Sequence, residues 1–182
     1  SDDPLEAHDE EDDARLGDSN LEILGRLNDE LLPEEGRPEL DFRDMTHAEQ
    51  VKLVRLCTAI VNETNSQILI KRSTIKEISR NASYGAFAKK RLRKGLILGA
   101  YRGLALGKEE YEHRHPPGSE GAYVLEIRPH LFVDAHDPRH ASFGRWINDH
   151  GPGGRANVEF CASGDEVLIR TLRMILPGEE LF

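Results

Sequence analysis

Gly144-Arg145-Trp146-Ile147-Asn148, followed by Ala156-Asn157-Val158 and closed by Ile175-Leu176-Pro177-Gly178-Glu179-Glu180-Leu181, is the stretch on which the reading of this chain turns. Between its last two pieces lie two strand-length apolar runs, 158–161 and 167–172, separated by Ser163-Gly164-Asp165. These turn residues accept positive φ at little cost, so a β-hairpin is predicted there. Toward the N-terminus the runs 68–70, 84–88, 96–101, 123–127 and 131–133 are equally short and are bounded by Gly, Pro, Asn, Asp or Ser. Runs of this kind predict a mainly β body with few helices. The βα alternation of a doubly wound nucleotide fold is missing, and so is any repeat of fixed period. A nucleotide-like cofactor would therefore not be held in Rossmann fashion.

Upstream of residue 67 the pattern becomes helical. Thr46 can cap a first turn while Glu49 reaches back, and Val51, Val54, Leu56, Cys57, Ile60 and Val61 form an apolar stripe. A helix is expected over 46–66, packed on the β body of 67–182. Residues 33–44 carry Pro33, Gly36 and Pro38 among charges and read as a linker. Ser19-Asn20-Leu21-Glu22 with Leu24, Leu27 and Leu31 would make a short amphipathic helix over 20–32, or a locally helical segment with no fixed partner. Residues 1–18 include Asp9, Glu10, Glu11, Asp12 and Asp13 in a row and are expected to stay disordered by self-repulsion.

Charge divides the 182 residues in the same way. The formal net charge is -9, but residues 1–45 hold 17 acidic against 4 basic side chains, and residues 46–182 hold 16 against 20. An acidic segment thus precedes a mildly basic body. No apolar run approaches the ~18 residues of a membrane span, and no charged-then-apolar leader opens the sequence. Cys57 and Cys161 are the only cysteines, too few for a disulfide framework or a four-cysteine zinc site. A reducing, intracellular setting, nuclear or cytoplasmic, is the expectation. Because the sequence starts at Ser1 and stops at Phe182 directly after an apolar run and a turn, it reads as a fragment.

Several local groupings invite chemistry. His113 and His115, with Asp134, His136, Asp137 and His140, supply enough imidazole and carboxylate for a zinc or two-histidine iron site, or else are loop histidines; their spacing specifies no metal. Gly151-Pro152-Gly153-Gly154 lacks the Lys-Ser/Thr of a phosphate loop. Lys89-Lys90-Arg91-Leu92-Arg93-Lys94 could meet phosphate or an acidic protein surface, or form a solvated turn between strands. No aromatic residue interleaves with it, so direct nucleic-acid binding is not expected. Ser142 is not in a nucleophile elbow, and neither cysteine has a neighbouring histidine.

Read in order, Ser83-Tyr84-Gly85-Ala86-Phe87-Ala88, Lys94-Gly95, Gly99-Ala100-Tyr101-Arg102-Gly103, Tyr123-Val124-Leu125-Glu126-Ile127, Phe132-Val133-Asp134-Ala135 and the three pieces quoted first resemble a SET domain, the protein lysine methyltransferase fold. The resemblance covers residues 74 to 182 and implies a knot-like assembly of small β-sheets. It also implies S-adenosyl-L-methionine on one face and a substrate lysine entering a narrow channel from the other. A free lysine has a pKa of about 10.4, so only roughly one in a thousand is neutral near pH 7.4, and a dry aromatic channel favours that neutral form.

By this resemblance Tyr101 and Tyr123 line the lysine channel as catalytic residues, although a tyrosine in a strand is also ordinary packing. Ser83 and Tyr84 match the first cofactor loop, with Ser83 where the family usually has Gly. Arg145, Trp146 and Asn148 match an Arg-Phe-x-Asn stretch. Arg145 would hold a carboxylate or a loop, Trp146 would sit beside the cofactor or in the core, and Asn148 would bond the cofactor's amino group or flanking backbone. Asp149 stands where the family usually has a His that acts partly through backbone groups facing the adenine. The family's final motif runs on to a catalytic tyrosine about three residues beyond Phe182, so weak or absent activity is expected of this fragment, and the cysteine-rich zinc segments of some members are absent. The implied function is methyl transfer to a lysine in a flexible protein segment, a histone tail by family default. The alternative is a non-catalytic interaction module of the PR type.

Overall fold

The computed structural model describes residues 40–75, 84–119, 121–151 and 153–182. The helix expected over 20–32, the acidic run at 9–13 and Ser83 lie outside them. The chain divides into Ser1–Leu40 and Asp41–Phe182, and every described helix and strand belongs to the second unit. A 3-10 turn, Phe42–Asp44, opens that unit with Phe42 buried, so residues 41–44 of the stretch read as a linker lie within the second unit.

Helix α1 (His47–Thr64) starts at a capping box: Thr46 Oγ1 accepts the Glu49 N–H at 3.3 Å and the Glu49 carboxylate accepts the Thr46 N–H at 2.7 Å. Two of the otherwise unpaired donors at the helix start are thereby satisfied. Its buried face, Leu53, Leu56, Cys57 and Thr58, packs toward β1 (Ile68–Arg72). Asn62 fixes the distance, since its amide donates to the Ile70 carbonyl at 2.8 Å and accepts the Ile70 N–H at 2.6 Å. At the other side β1 pairs antiparallel with β2 (Tyr84–Ala88), from Ile68 opposite Ala88 to Arg72 opposite Tyr84.

Two three-stranded antiparallel sheets complete the body. One has the order β3-β8-β7, with β3 (Ile97–Tyr101), β7 (Val158–Ser163) and β8 (Glu166–Thr171). The other has the order β4-β6-β5, with β4 (Leu104–Gly107), β5 (Val124–Arg128) and β6 (Leu131–Asp134). The β7–β8 hairpin closes at Ser163 opposite Glu166, with Gly164 at φ +61, as a two-residue turn requires. Strand β4 and helix α2 (Lys108–Arg114) were not expected from the sequence. Three residues between glycines gave β4 too little apolar pattern, and α2 has no buried stripe: it is anchored by Tyr111, whose ring stacks on Phe132 with centroids 4.0 Å apart, and carries the surface pairs Lys108–Glu112 and Glu110–Arg114.

The C-terminal segment interlaces these parts. Leu92 and Ile175 exchange both backbone hydrogen bonds, at 2.9 and 3.0 Å, and both side chains are fully buried. The segment then runs beside β2, where the Ala88 N–H donates to Glu179 O and the Leu181 N–H donates to Ala86 O. Finally the Phe182 carbonyl accepts the N–H groups of Asn157 and Val158 at 2.8 and 3.1 Å, at the head of β7. Residues 175–182 thus lie between β2 and the start of β7, and the result is the knot-like assembly of small sheets that the sequence led us to expect.

Candidate active site

A 3-10 turn, Phe143–Trp146, sits against β1, β2 and β3, and two groups of side chains form at its two ends. Ser142 caps it by accepting the Gly144 N–H. Glycine is needed at 144 because a Cβ there would lie 2.8 Å from both the Tyr101 ring and Ile169. That absence lets Tyr101 lie close against the turn.

The first group is aromatic. Tyr101, buried at the end of β3, donates its hydroxyl to the Tyr123 carbonyl at 2.9 Å. That carbonyl also accepts the Ala135 N–H at 3.0 Å, which uses both lone pairs. Burial pushes the Tyr101 phenol well above its usual range, so it is neutral and acts as a donor. Phe160 of β7 meets the Tyr101 ring edge-on, centroids 5.6 Å apart and planes at 89°, yet remains 42% exposed. The sequence did not single out Phe160. It lies inside an apolar run that reads only as a strand, whereas the edge position of β7 leaves one side of the ring open.

The Tyr123 ring packs beneath Arg145, whose guanidinium carbon lies 4.3 Å from the ring centroid. Arg145 donates from Nε to Ala135 O at 3.0 Å and from Nη2 to His136 O at 3.3 Å, so of the two expected roles it takes the loop and not a carboxylate. Asp134 beside this corner is buried and accepts both the His136 N–H, at 2.8 Å, and a contact from His115 Nε2 at 3.1 Å. His115, expected in a surface loop, is therefore packed against Asp134 and Tyr111. The His136 ring is in contact with Phe42 and Tyr123, and burial lowers its pKa. Among the described residues no three His, Cys, Asp or Glu side chains come close enough to share a metal ion. Burial raises the Cys57 thiol to about 11, which leaves it protonated and unreactive.

The second group is polar. Asn148 donates to the Tyr84 carbonyl at 3.0 Å and reaches Glu180 Oε1 at 3.4 Å. Glu180 is only 5% exposed and accepts from Ser73 Oγ, the Thr74 N–H and Thr74 Oγ1 at 2.6, 2.8 and 2.5 Å. All of its donors are neutral, so the described residues surround a buried carboxylate without a cation. Gly85 makes room for it, since a Cβ there would fall 2.1 Å from Glu180 Oε1. Neither Glu180 nor Asn157 was identified from sequence as a site residue. Their only signal was membership of the closing motif and of Ala156-Asn157-Val158.

Trp146 is buried, and its indole N–H has no hydrogen-bond partner among the described residues. Its ring is thus core packing, with one polar atom available to an acceptor. Asp149 is exposed and accepts the Gly151 N–H at 2.7 Å, so its carboxylate closes its own turn. The structure brings Tyr101, Tyr123 and Arg145 together in one group and Tyr84 and Asn148 in the other. Ser83 is not among the described residues.

Comparison with known proteins bears on the fold. A search of curated proteins returns no match. Among solved structures, the methyltransferase domain of human PR domain-containing protein 2 matches at 20% identity and a TM-score of 0.53, over 83% of this chain and 92% of that one. An active polycomb repressive complex 2 in the stimulated state matches at 20% identity and a TM-score of 0.50, over 68% of this chain and 16% of that one. The ctPRC2 complex in an autoinhibited conformation bound to S-adenosylmethionine matches at 20% identity and a TM-score of 0.49, over 64% of this chain. This chain spans only 14% of the length of that last structure, and at such identities the likeness is one of fold. The SET domain family model matches residues 83–182, which contain both side-chain groups around the 3-10 turn except Ser73 and Thr74. With more than half of its length matched, through the interlaced C-terminal segment, the chain belongs to the SET-domain family.

Proposed function

We propose that the protein transfers a methyl group from S-adenosylmethionine to the side-chain amine of a protein lysine, with a histone tail as the first substrate to test. The observation that carries this reading is the buried carboxylate of Glu180, whose donors among the described residues are all neutral, beside Asn148 and the Tyr84 carbonyl and near the aromatic group of Tyr101, Tyr123 and Phe160. An electron-rich group of this kind suits the cationic methionine end of the cofactor, which when bound supplies a methyl on a sulfonium. Asn148, the Tyr84 backbone and Glu180 would hold that end.

The chain's own part in the reaction is positioning and exclusion of water. Aromatic walls disfavour the ammonium form of an entering lysine. The Tyr101 hydroxyl, whose proton is committed to Tyr123 O, keeps lone pairs that can accept from an amine N–H. Arg145 locks the 135–136 corner and with it the Tyr123 ring. The alternative reading, a PR-type interaction module, draws on Ser83 and Asp149; Ser83 lies outside the described residues, and the Asp149 carboxylate accepts the Gly151 N–H in its own turn.

Calorimetry with S-adenosylhomocysteine tests the proposal. Micromolar binding is expected, weakened about tenfold or more in Asn148→Ala (~1.4 kcal/mol or more). In a radiolabel assay on lysine-bearing histone peptides, Tyr101→Phe should lower kcat with little change in the cofactor's KM. Absence of cofactor binding by the folded protein would sink the enzyme reading.

A further inference from the structure

The turn between β2 and β3 presents Lys89, Lys90, Arg91, Arg93 and Lys94, all exposed, around a single buried anchor, Leu92. Lys89 is engaged, since its ammonium donates to the carbonyls of Asn62 and Asn65 at the end of α1. The other four cations have no anionic partner among the described residues. Four uncompensated charges within five positions repel one another, and an anionic partner relieves that repulsion.

The turn is not a loose loop. Leu92 and Ile175 are hydrogen-bonded in both directions, and Thr171 fixes the far side, its carbonyl accepting the Gly95 N–H at 2.9 Å and its hydroxyl donating to Arg93 O at 2.6 Å. Since Leu92 and Ile175 both point inward, the strand pleat turns Arg91, Arg93, Met174 and Leu176 outward. The antiparallel bridge between Leu92 and Ile175 places Arg91 and Arg93 on one of the two paired segments and Met174 and Leu176 on the other. Met174 is 51% and Leu176 44% exposed. The outer surface therefore carries a cationic row and an apolar row side by side, about 5 Å apart.

We infer that this surface docks an acidic protein segment whose apolar side chains lie in a row beside its carboxylates. A nucleic-acid backbone would satisfy the cationic row and leave Met174 and Leu176 against phosphate and water. An anionic membrane would gain little from two apolar side chains held in a rigid pairing. A polypeptide with both kinds of side chain satisfies both rows, and the charge steers its approach.

The test uses the full chain and three probes: a fluorescent synthetic peptide rich in Glu and Leu, a short DNA duplex, and phosphatidylserine-containing vesicles. The peptide is expected to bind most tightly. Its affinity should fall about tenfold (~1.4 kcal/mol) in Arg91→Glu/Arg93→Glu and severalfold in Met174→Ser/Leu176→Ser, with thermal midpoints unchanged in both. The inference is overturned if neither double variant weakens the peptide, or if the duplex or the vesicles bind more tightly than the peptide does. Cofactor binding stays intact in either case, so failure here is separate from failure of the methyltransferase reading.

Discussion

Asn157 makes two hydrogen bonds that water cannot replace. It is 1% exposed, donates to Glu180 O at 2.7 Å and accepts the Phe182 N–H at 2.8 Å, both across the interlaced segment. Asn157→Ala should cost roughly 2–4 kcal/mol, because it strands two buried backbone groups. Urea unfolding midpoints measure this, and a loss within experimental error would remove Asn157 from the set of structural anchors. His136 gives the residue-level pH dependence. Burial lowers its pKa, with the Arg145, Arg43 and His115 charges acting in the same direction and Asp134 opposing them. The unfolded chain therefore takes up the proton first, and stability falls as pH drops below about 6.5, the unperturbed value, until the folded histidine also titrates. Midpoints at pH 7.5 and 5.5 should show this decline, and in His136→Phe the decline should shrink; an equal decline in both proteins would assign it to other groups.

Among the elements, α1 offers the simplest test of local encoding. Thr46→Ala removes the hydroxyl of the capping box and should destabilise by about 1 kcal/mol, read from the same midpoints. Elements with a strong local signal were legible. Thr46 with Glu49 marks the start of α1, and Gly164 in its turn marks the β7–β8 hairpin. The order of short runs also pointed to separate small sheets. What sequence left out depends on tertiary context. Strand β4 exists because β6 pairs with it, from Leu104 opposite Asp134 to Gly107 opposite Leu131, and nothing local demands it. The site divides in the same way: Tyr101, Arg145 and Asn148 were named from their motifs, while Glu180 and Phe160 gain meaning only where separate segments meet. Burial of a carboxylate among Ser73, Thr74 and Asn148 cannot be read from Glu180's neighbours along the chain.

For the molecule as a whole, the formal net charge of -9 hides an acidic first quarter and a body of the opposite sign. Two regions of that body carry different chemistry: a buried carboxylate, Glu180, beside the 3-10 turn, and a cationic turn braced by the same segment, 175–182. The bracing has a consequence for how the protein is made. Residues 86–88 find their second set of partners only in residues 179–181, some ninety positions later. At about 5–20 residues per second, a ribosome needs on the order of ten seconds to supply them. Throughout that interval the nascent chain holds β2 paired on one side only, and the cavity meant for Glu180 has no occupant. Closure of the second edge of β2 thus waits on residues made much later, and a chaperone that shields open strand edges would find its substrate in that waiting state.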